Sequence, residues 1–280
     1  MMDKGEALKG IQANIRGGNR AMASSQIMEL VSVSADDPFS LLTCISLLKV
    51  IEDETGASEV VKMLCENVDT KNVTEISKGL RNMGYSKETI LMLSEVTDIR
   101  DDIFRTRALA LSDMGRYTDA VCEQENIVDR TISDDILLTE ILCSMKEYEK
   151  AKDIAKNILS ESSEFDVRKC MYGVMTASGD RKGADRFVKD ILKKEKDSAD
   201  SSALAAYHMW VEGKIPGAAA YATKALKLDP GHVGAMEIFA YCLAEKGKTA
   251  EARIVAGAIN EKAPGHPSVI KILEICRDGT

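Results

Sequence analysis

The stretch "GKIPGAAAYATKALKLDPGH" occupies residues 213–232, and 34 residues further on the chain reads "GKTAEARIVAGAINEKAPGH", residues 247–266. Both begin Gly-Lys, both place Ala five residues after the Gly, and both close on Pro-Gly-His. One step upstream the same frame holds. Gly179, Gly213 and Gly247 are spaced by 34, and so are Ala184, Ala218 and Ala252. Farther back the cycle slips: Ala120 in "MGRYTDAVCEQENIV" and Ala151 in "KEYEKAKDIAKNIL" stand 31 apart. Weaker echoes appear in "NMGYSKETILML", "ETGASEVVKMLC" and "IRGGNRAMASSQIMEL".

A period near 34 has a physical meaning: two helices of about 12 residues and two short turns use up that length. The Gly ends the first helix by taking a positive φ. The Ala lets the second helix approach the first closely. Apolar residues such as Ile215, Ala218, Ala219, Ala222, Ala225 and Leu226 follow a helical spacing and form the seam. Pro230 and Pro264 fall where the second helix must stop. One such hairpin cannot bury its apolar face alone, whereas a stack of them can.

The pattern resembles the tetratricopeptide repeat. The last copy carries Met236, Phe239, Ala240, Leu243, Gly247, Ala252, Ala256, Ile259 and Pro264. The copy before it carries Ala205, Ala206, Met209, Gly213, Ala218, Ala225 and Pro230, and the copy at 101–131 carries Phe104, Ala108, Leu111, Gly115, Tyr117 and Ala120. The match is strong over 165–266, fair over 101–164 and weak over 1–100, and Trp210 is not at the family's Trp place.

The resemblance implies an all-α, right-handed solenoid of stacked antiparallel helix hairpins, read as one domain over 1–280. Degenerate hairpins are expected at 1–36, 37–69 and 70–100. Repeats are expected at 101–131, 132–164, 165–198, 199–232 and 233–266, with a capping helix over 267–280. The polar run "KKEKDSADSS", 193–202, falls where an inter-repeat turn belongs.

Whole-chain properties narrow the function. Aromatic residues make up 5%, charged residues 29%, and there are 5 prolines among 280 residues, a composition suited to folded helix. No apolar run reaches the roughly 18 residues of a membrane span, and the N-terminus lacks a secretory pattern, so a cytoplasmic protein off the membrane is expected. Seven cysteines, none in a CxxC arrangement, read as free thiols. A net charge of −8 argues against nucleic acid as partner. The charge is uneven: residues 1–164 hold 19 basic and 30 acidic side chains, residues 165–280 hold 18 and 15. The acidic part favours a partner with a basic stretch.

The search for chemistry comes back empty. No phosphate-binding glycine motif is present. His232 and His266 are repeat-equivalent turn residues, read as solvated, and no Cys or acid recurs with them as a metal ligand. His208 lacks a nucleophile partner. The acid pairs Asp36-Asp37, Asp101-Asp102 and Asp134-Asp135 sit at helix starts, where they cap free amides. No catalytic residue, cofactor or metal is expected, and the protein is read as a non-enzyme.

By resemblance, the first helix of each unit lines the concave side. Its ninth place holds Glu140, Gly173, Tyr207 and Tyr241, its twelfth Cys143, Thr176, Trp210 and Ala244, and its fifth Ile136, Lys169, Ala203 and Glu237. Tyr207, Trp210 and Tyr241 are the candidate partner-binding rings, with Lys169, Glu237 and Arg105 supplying charge. The alternative for the rings is packing between helices. A family subgroup clamps acidic chaperone tails with Lys, Asn and Arg. Gly173 and Tyr207 stand where its Asn residues belong, so that activity is not expected. The reading is an interaction scaffold that holds a peptide or helical segment of a partner protein. A self-assembling, homo-oligomeric structural subunit is the alternative.

Overall fold

A computed structural model describes residues 4–67, 71–97, 100–263 and 266–278. The described residues form seventeen α-helices and no strand. None of these helices is long and apolar enough to cross a membrane. The chain divides into two compact units, 1–128 and 129–280.

The first unit contains α1 (Lys4–Arg16), α2 (Arg20–Ser32), α3 (Pro38–Val50), α4 (Glu54–Asn67), α5 (Val73–Asn82), α6 (Ser86–Ser94), α7 (Asp101–Asp113) and α8 (Tyr117–Glu125). Its core is built from large aliphatic side chains, among them Ile11, Ile27, Leu41, Ile45, Leu48, Leu64, Ile76 and Leu80. The second unit contains α9 (Ile132–Ser144), α10 (Tyr148–Glu161), α11 (Phe165–Ala177), α12 (Arg181–Lys194), α13 (Ala199–Val211), α14 (Ile215–Leu228), α15 (Val233–Glu245), α16 (Thr249–Lys262) and α17 (Pro267–Asp278). In each unit successive helices pack as antiparallel hairpins. In the second, α9, α11, α13, α15 and α17 also touch one another in order, so these odd-numbered helices form one continuous layer. The fold is an all-α solenoid, and α17 packs on α15 and α16 at its end.

The sequence period sets this geometry residue by residue. Ala184, Ala218 and Ala252 are fully buried, as are Ala120 and Ala151. Gly179, Gly213 and Gly247 have φ of 86°, 71° and 71°, a left-handed conformation that Gly adopts at no steric cost. At the equivalent turns between α3 and α4 and between α9 and α10, Glu52 and Lys146 take φ of 62° and 63°. The period thus imposes its turn even where the sequence supplies no Gly. Pro230 follows α14 as expected, whereas Pro264 lies outside the described residues. The polar run at 193–202 crosses the turn from α12 to α13.

Helix starts hold two corrections. Asp37 caps α3, accepting from the Ser40 amide at 3.3 Å, and Thr131 with Asp134 forms a reciprocal capping box on α9. Asp101 and Asp102 do not act this way. Asp101 accepts from the Val128 amide at 3.1 Å and Asp102 from the Thr74 hydroxyl at 2.8 Å, so they tie α7 to its neighbours. His232 is not a solvated turn residue either. Its side chain is 8% exposed, its Nδ1 accepts from the Ala235 amide and caps α15, and its Nε2 lies 2.8 Å from Asp200. The Phe165 ring meets it edge-on, with centroids 5.3 Å apart.

Polar locks of this kind stitch one repeat of the second unit to the next. Arg168, 3% exposed, donates to both carboxylate oxygens of Glu195 at 2.8 and 2.9 Å and to Ser201 Oγ at 3.0 Å. Burial raises the Glu195 carboxyl, but the hydrogen bonds from Arg168 and Ser201 outweigh it and leave the carboxyl below its ordinary range. The Tyr172 hydroxyl and His208 Nδ1 are 3.0 Å apart, both buried. These pairs span 27 to 36 residues, about one period. A buried polar group without such a partner would be costly, so each lock also fixes the register of the stack.

Candidate functional site

The odd-numbered layer of the second unit carries the candidate residues. On α11, Lys169 and Gly173 are four residues apart; on α13, Tyr207 and Trp210 are three apart; on α15, Glu237 and Tyr241 are four apart. Each spacing puts the pair on one face of its helix. Stacking the helices turns these pairs into a row. Tyr172 meets Tyr207 edge-on at 5.6 Å between centroids. Tyr207 lies 6.2 Å from Trp210 at a tilt of 32°. Trp210 stacks on Tyr241 at 5.1 Å with 18° between planes. Trp210 is half-buried and touches the apolar clusters on both sides of it, so it packs between helices and also keeps an accessible edge. Tyr241 is buried.

Charge runs beside the rings. The Lys169 ammonium lies 3.6 Å from Glu237, 5.2 Å from the Tyr207 ring centroid and 5.8 Å from that of Phe165. Burial draws the Lys169 pKa down, but Glu237, then Tyr207, Asp166 and Glu140, draw it up further, and the balance is a raised value. Lys169 therefore stays charged. Burial pushes the Tyr207 and Tyr241 phenols up, so both remain hydrogen-bond donors at neutral pH. It also raises the Glu140 carboxyl, against the pull of Lys169 and Lys271.

Next to this row the layer opens into a cleft of about 650 Å³. Ile136, Glu140 and Cys143 of α9, Lys169 and Gly173 of α11, and Tyr207 of α13 line it, with Ile132, Val167, Val174 and His266 completing the wall. Gly173 faces open space: a Cβ added there would meet nothing within 4 Å. Cys143 and Cys170 also line the cleft, but burial pushes both thiols up, Cys170 to about 12. They are poor nucleophiles there. Among the described residues no group of three or more His, Cys, Asp or Glu has the arrangement of a metal site.

Five of the six residues singled out from sequence, Lys169, Tyr207, Trp210, Glu237 and Tyr241, come together on this layer. Arg105 belongs to the first unit, on α7, where its guanidinium faces Asp101 at 3.9 Å. Two aromatic residues, Tyr172 in the row and Phe165 beside Lys169, were not legible beforehand. Phe165 and Tyr172 gave no signal in the sequence beyond being aromatic. The room for Phe165 comes from Gly234 on α15, because any Cβ there would collide with the Phe165 ring.

The family profile described as "Tetratricopeptide repeat" matches residues 210–274, from the end of α13 into α17. Residues 210–274 carry the tetratricopeptide repeat. Such repeats generally serve protein–protein interaction rather than catalysis. Among solved structures, a tetratricopeptide repeat protein from Parabacteroides merdae is 13% identical, with 90% of this chain and 98% of that one covered, at a TM-score of 0.47. The C-terminal part of a repeat-containing protein from Cytophaga hutchinsonii is 16% identical over 82% of this chain and 98% of that one, at 0.42. YrrB, a tetratricopeptide protein described as having an unusual peptide-binding site, is 14% identical over 68% and 97%, at 0.35. No curated protein matches the sequence.

Proposed function

We propose that the protein is a non-enzymatic interaction scaffold, and that the odd-numbered layer of its second unit holds a segment of a partner protein. The observation that carries this reading is the coincidence, on one layer, of an open cleft of about 650 Å³ with the half-buried rings of Tyr207 and Trp210, backed by the buried Tyr241. Aromatic rings with a polar tip anchor a ligand at low entropic cost, because they have few torsions to lose. Lys169 and Glu237 at 3.6 Å offer a donor and an acceptor to a bound backbone. The reading does not need Arg105.

Site-specific photo-crosslinking tests it. A benzophenone amino acid is placed at Gly173, in open space on the cleft, and in a second variant at Ile254, 74% exposed on α16. The expected outcome in native extract is a discrete adduct from position 173 and none from 254. An adduct with a second copy of the chain would replace the scaffold by the self-assembling subunit. Adducts from 254 alone, or from neither position, would sink the reading.

A further inference from the structure

The cleft on α9, α11 and α13 is acidic at its rim and apolar at its floor. Glu140, Glu164 and Asp166 stand around it, and Lys169, the one Lys or Arg among the described lining residues, is already held by Glu237 at 3.6 Å. Lys271, which acts on Glu140 from α17, raises the basic count to two against four carboxylates. The floor is Ile136, Val167 and Val174, and the missing side chain at Gly173 leaves room above it.

An occupant must therefore be long and apolar along its stem and cationic at its tip. Lys and Arg side chains have that build: three or four methylenes that prefer apolar surface, and a head that prefers carboxylates. An acidic side chain would meet like charges there, a repulsion that added salt would weaken. We infer that the cleft selects a partner segment presenting Lys or Arg, whose stem lies over Ile136 and Val174 beside Gly173 and whose head sits between Glu140 and Asp166. The inference rests on the scaffold reading and adds to it the chemistry of the ligand. The raised Glu140 carboxyl agrees, since a cation arriving beside it would make its ionisation easier.

The test is selection of random twelve-residue displayed peptides against the full-length chain, with the same selection against Gly173→Leu. That variant fills the cleft from a regular helical position with no neighbour in the way, and its melting curve reports that it is folded. The expected result is a set of peptides enriched in Lys and Arg that Gly173→Leu does not retain. Synthetic copies should bind the double variant Glu140→Gln, Asp166→Asn about tenfold more weakly and lose most of their salt sensitivity. Peptides that depend on Gly173 but are neutral or acidic would overturn this inference and leave the scaffold reading standing. Peptides indifferent to Gly173, or no selected peptide at all, would overturn both.

Discussion

Helices α3 and α4 of the first unit bury Leu41, Ile45, Leu48, Val60 and Leu64, whereas α13 and α14 of the second bury Ala203, Ala206, Ala218, Ala222 and Ala225. Both regions are antiparallel hairpins of the same length. One fills the space between its helices with branched side chains and the other brings its backbones close over methyl groups. The second solution moves bulk out of the seam and onto the layer above it. There Tyr172, Tyr207, Trp210 and Tyr241 form a row whose outer members, Tyr172 and Tyr241, belong to the buried clusters and whose middle members, Tyr207 and Trp210, are half-buried. The α3–α4 hairpin is thus built around volume and the α13–α14 hairpin around close approach.

The two designs should break in opposite ways. Removing volume should hurt the first most: Leu48→Ala is expected to cost about 3 kcal/mol, because its fully buried site leaves a cavity. Denaturant titration followed by circular dichroism would read it, and a cost below about 1 kcal/mol would mean that the seam collapses freely. In the second unit Trp210→Ala should cost about 2 to 3 kcal/mol, since the half-buried ring contacts two apolar clusters. A thermal midpoint equal to wild type would place the ring outside the packing altogether.

Adding volume should hurt the second unit. Ala218→Leu is expected to cost about 2 kcal/mol, because its site is fully buried between closely packed helices. An unchanged melting temperature would refute the close-approach account. The smallest stability effect should be a gain: Lys146→Gly, which relieves a left-handed non-glycine residue, should add about 1 kcal/mol. Thiol labelling gives a comparison without any mutation. Burial pushes Cys44 to about 11 and Cys170 to about 12, whereas Cys122 is exposed. Alkylation at pH 8 followed by mass mapping should mark Cys122 first and leave the other two nearly untouched, since only the thiolate reacts.

The same contrast explains what could be read from the sequence. The repeat is written in small residues, Gly at the turn and Ala in the seam, and small residues are position-specific because nothing larger fits. The frame was therefore clear over 165–266, where the alanines carry it. It blurred over 1–100, where Leu, Ile and Val fill the same space in many equivalent ways. The layer that carries Tyr207, Trp210 and Tyr241 was legible as soon as the frame was fixed. The locks were not. Nothing in the local sequence pairs Arg168 with Glu195 or Tyr172 with His208, because those contacts arise only when one repeat is set on the next. His232 misled for the same reason: a polar residue after Pro-Gly looks solvated until Phe165 and Asp200 arrive from other repeats.

The central claim is that the odd-numbered layer of the second unit is the surface a partner segment occupies. Hydrogen exchange on the full-length chain, with and without a peptide selected on it, tests this most directly. Slower exchange confined to 132–144, 165–177, 199–211 and 233–245 is the predicted result. Slowing confined to 148–161, 181–194 and 215–228, or to the first unit, would contradict the claim.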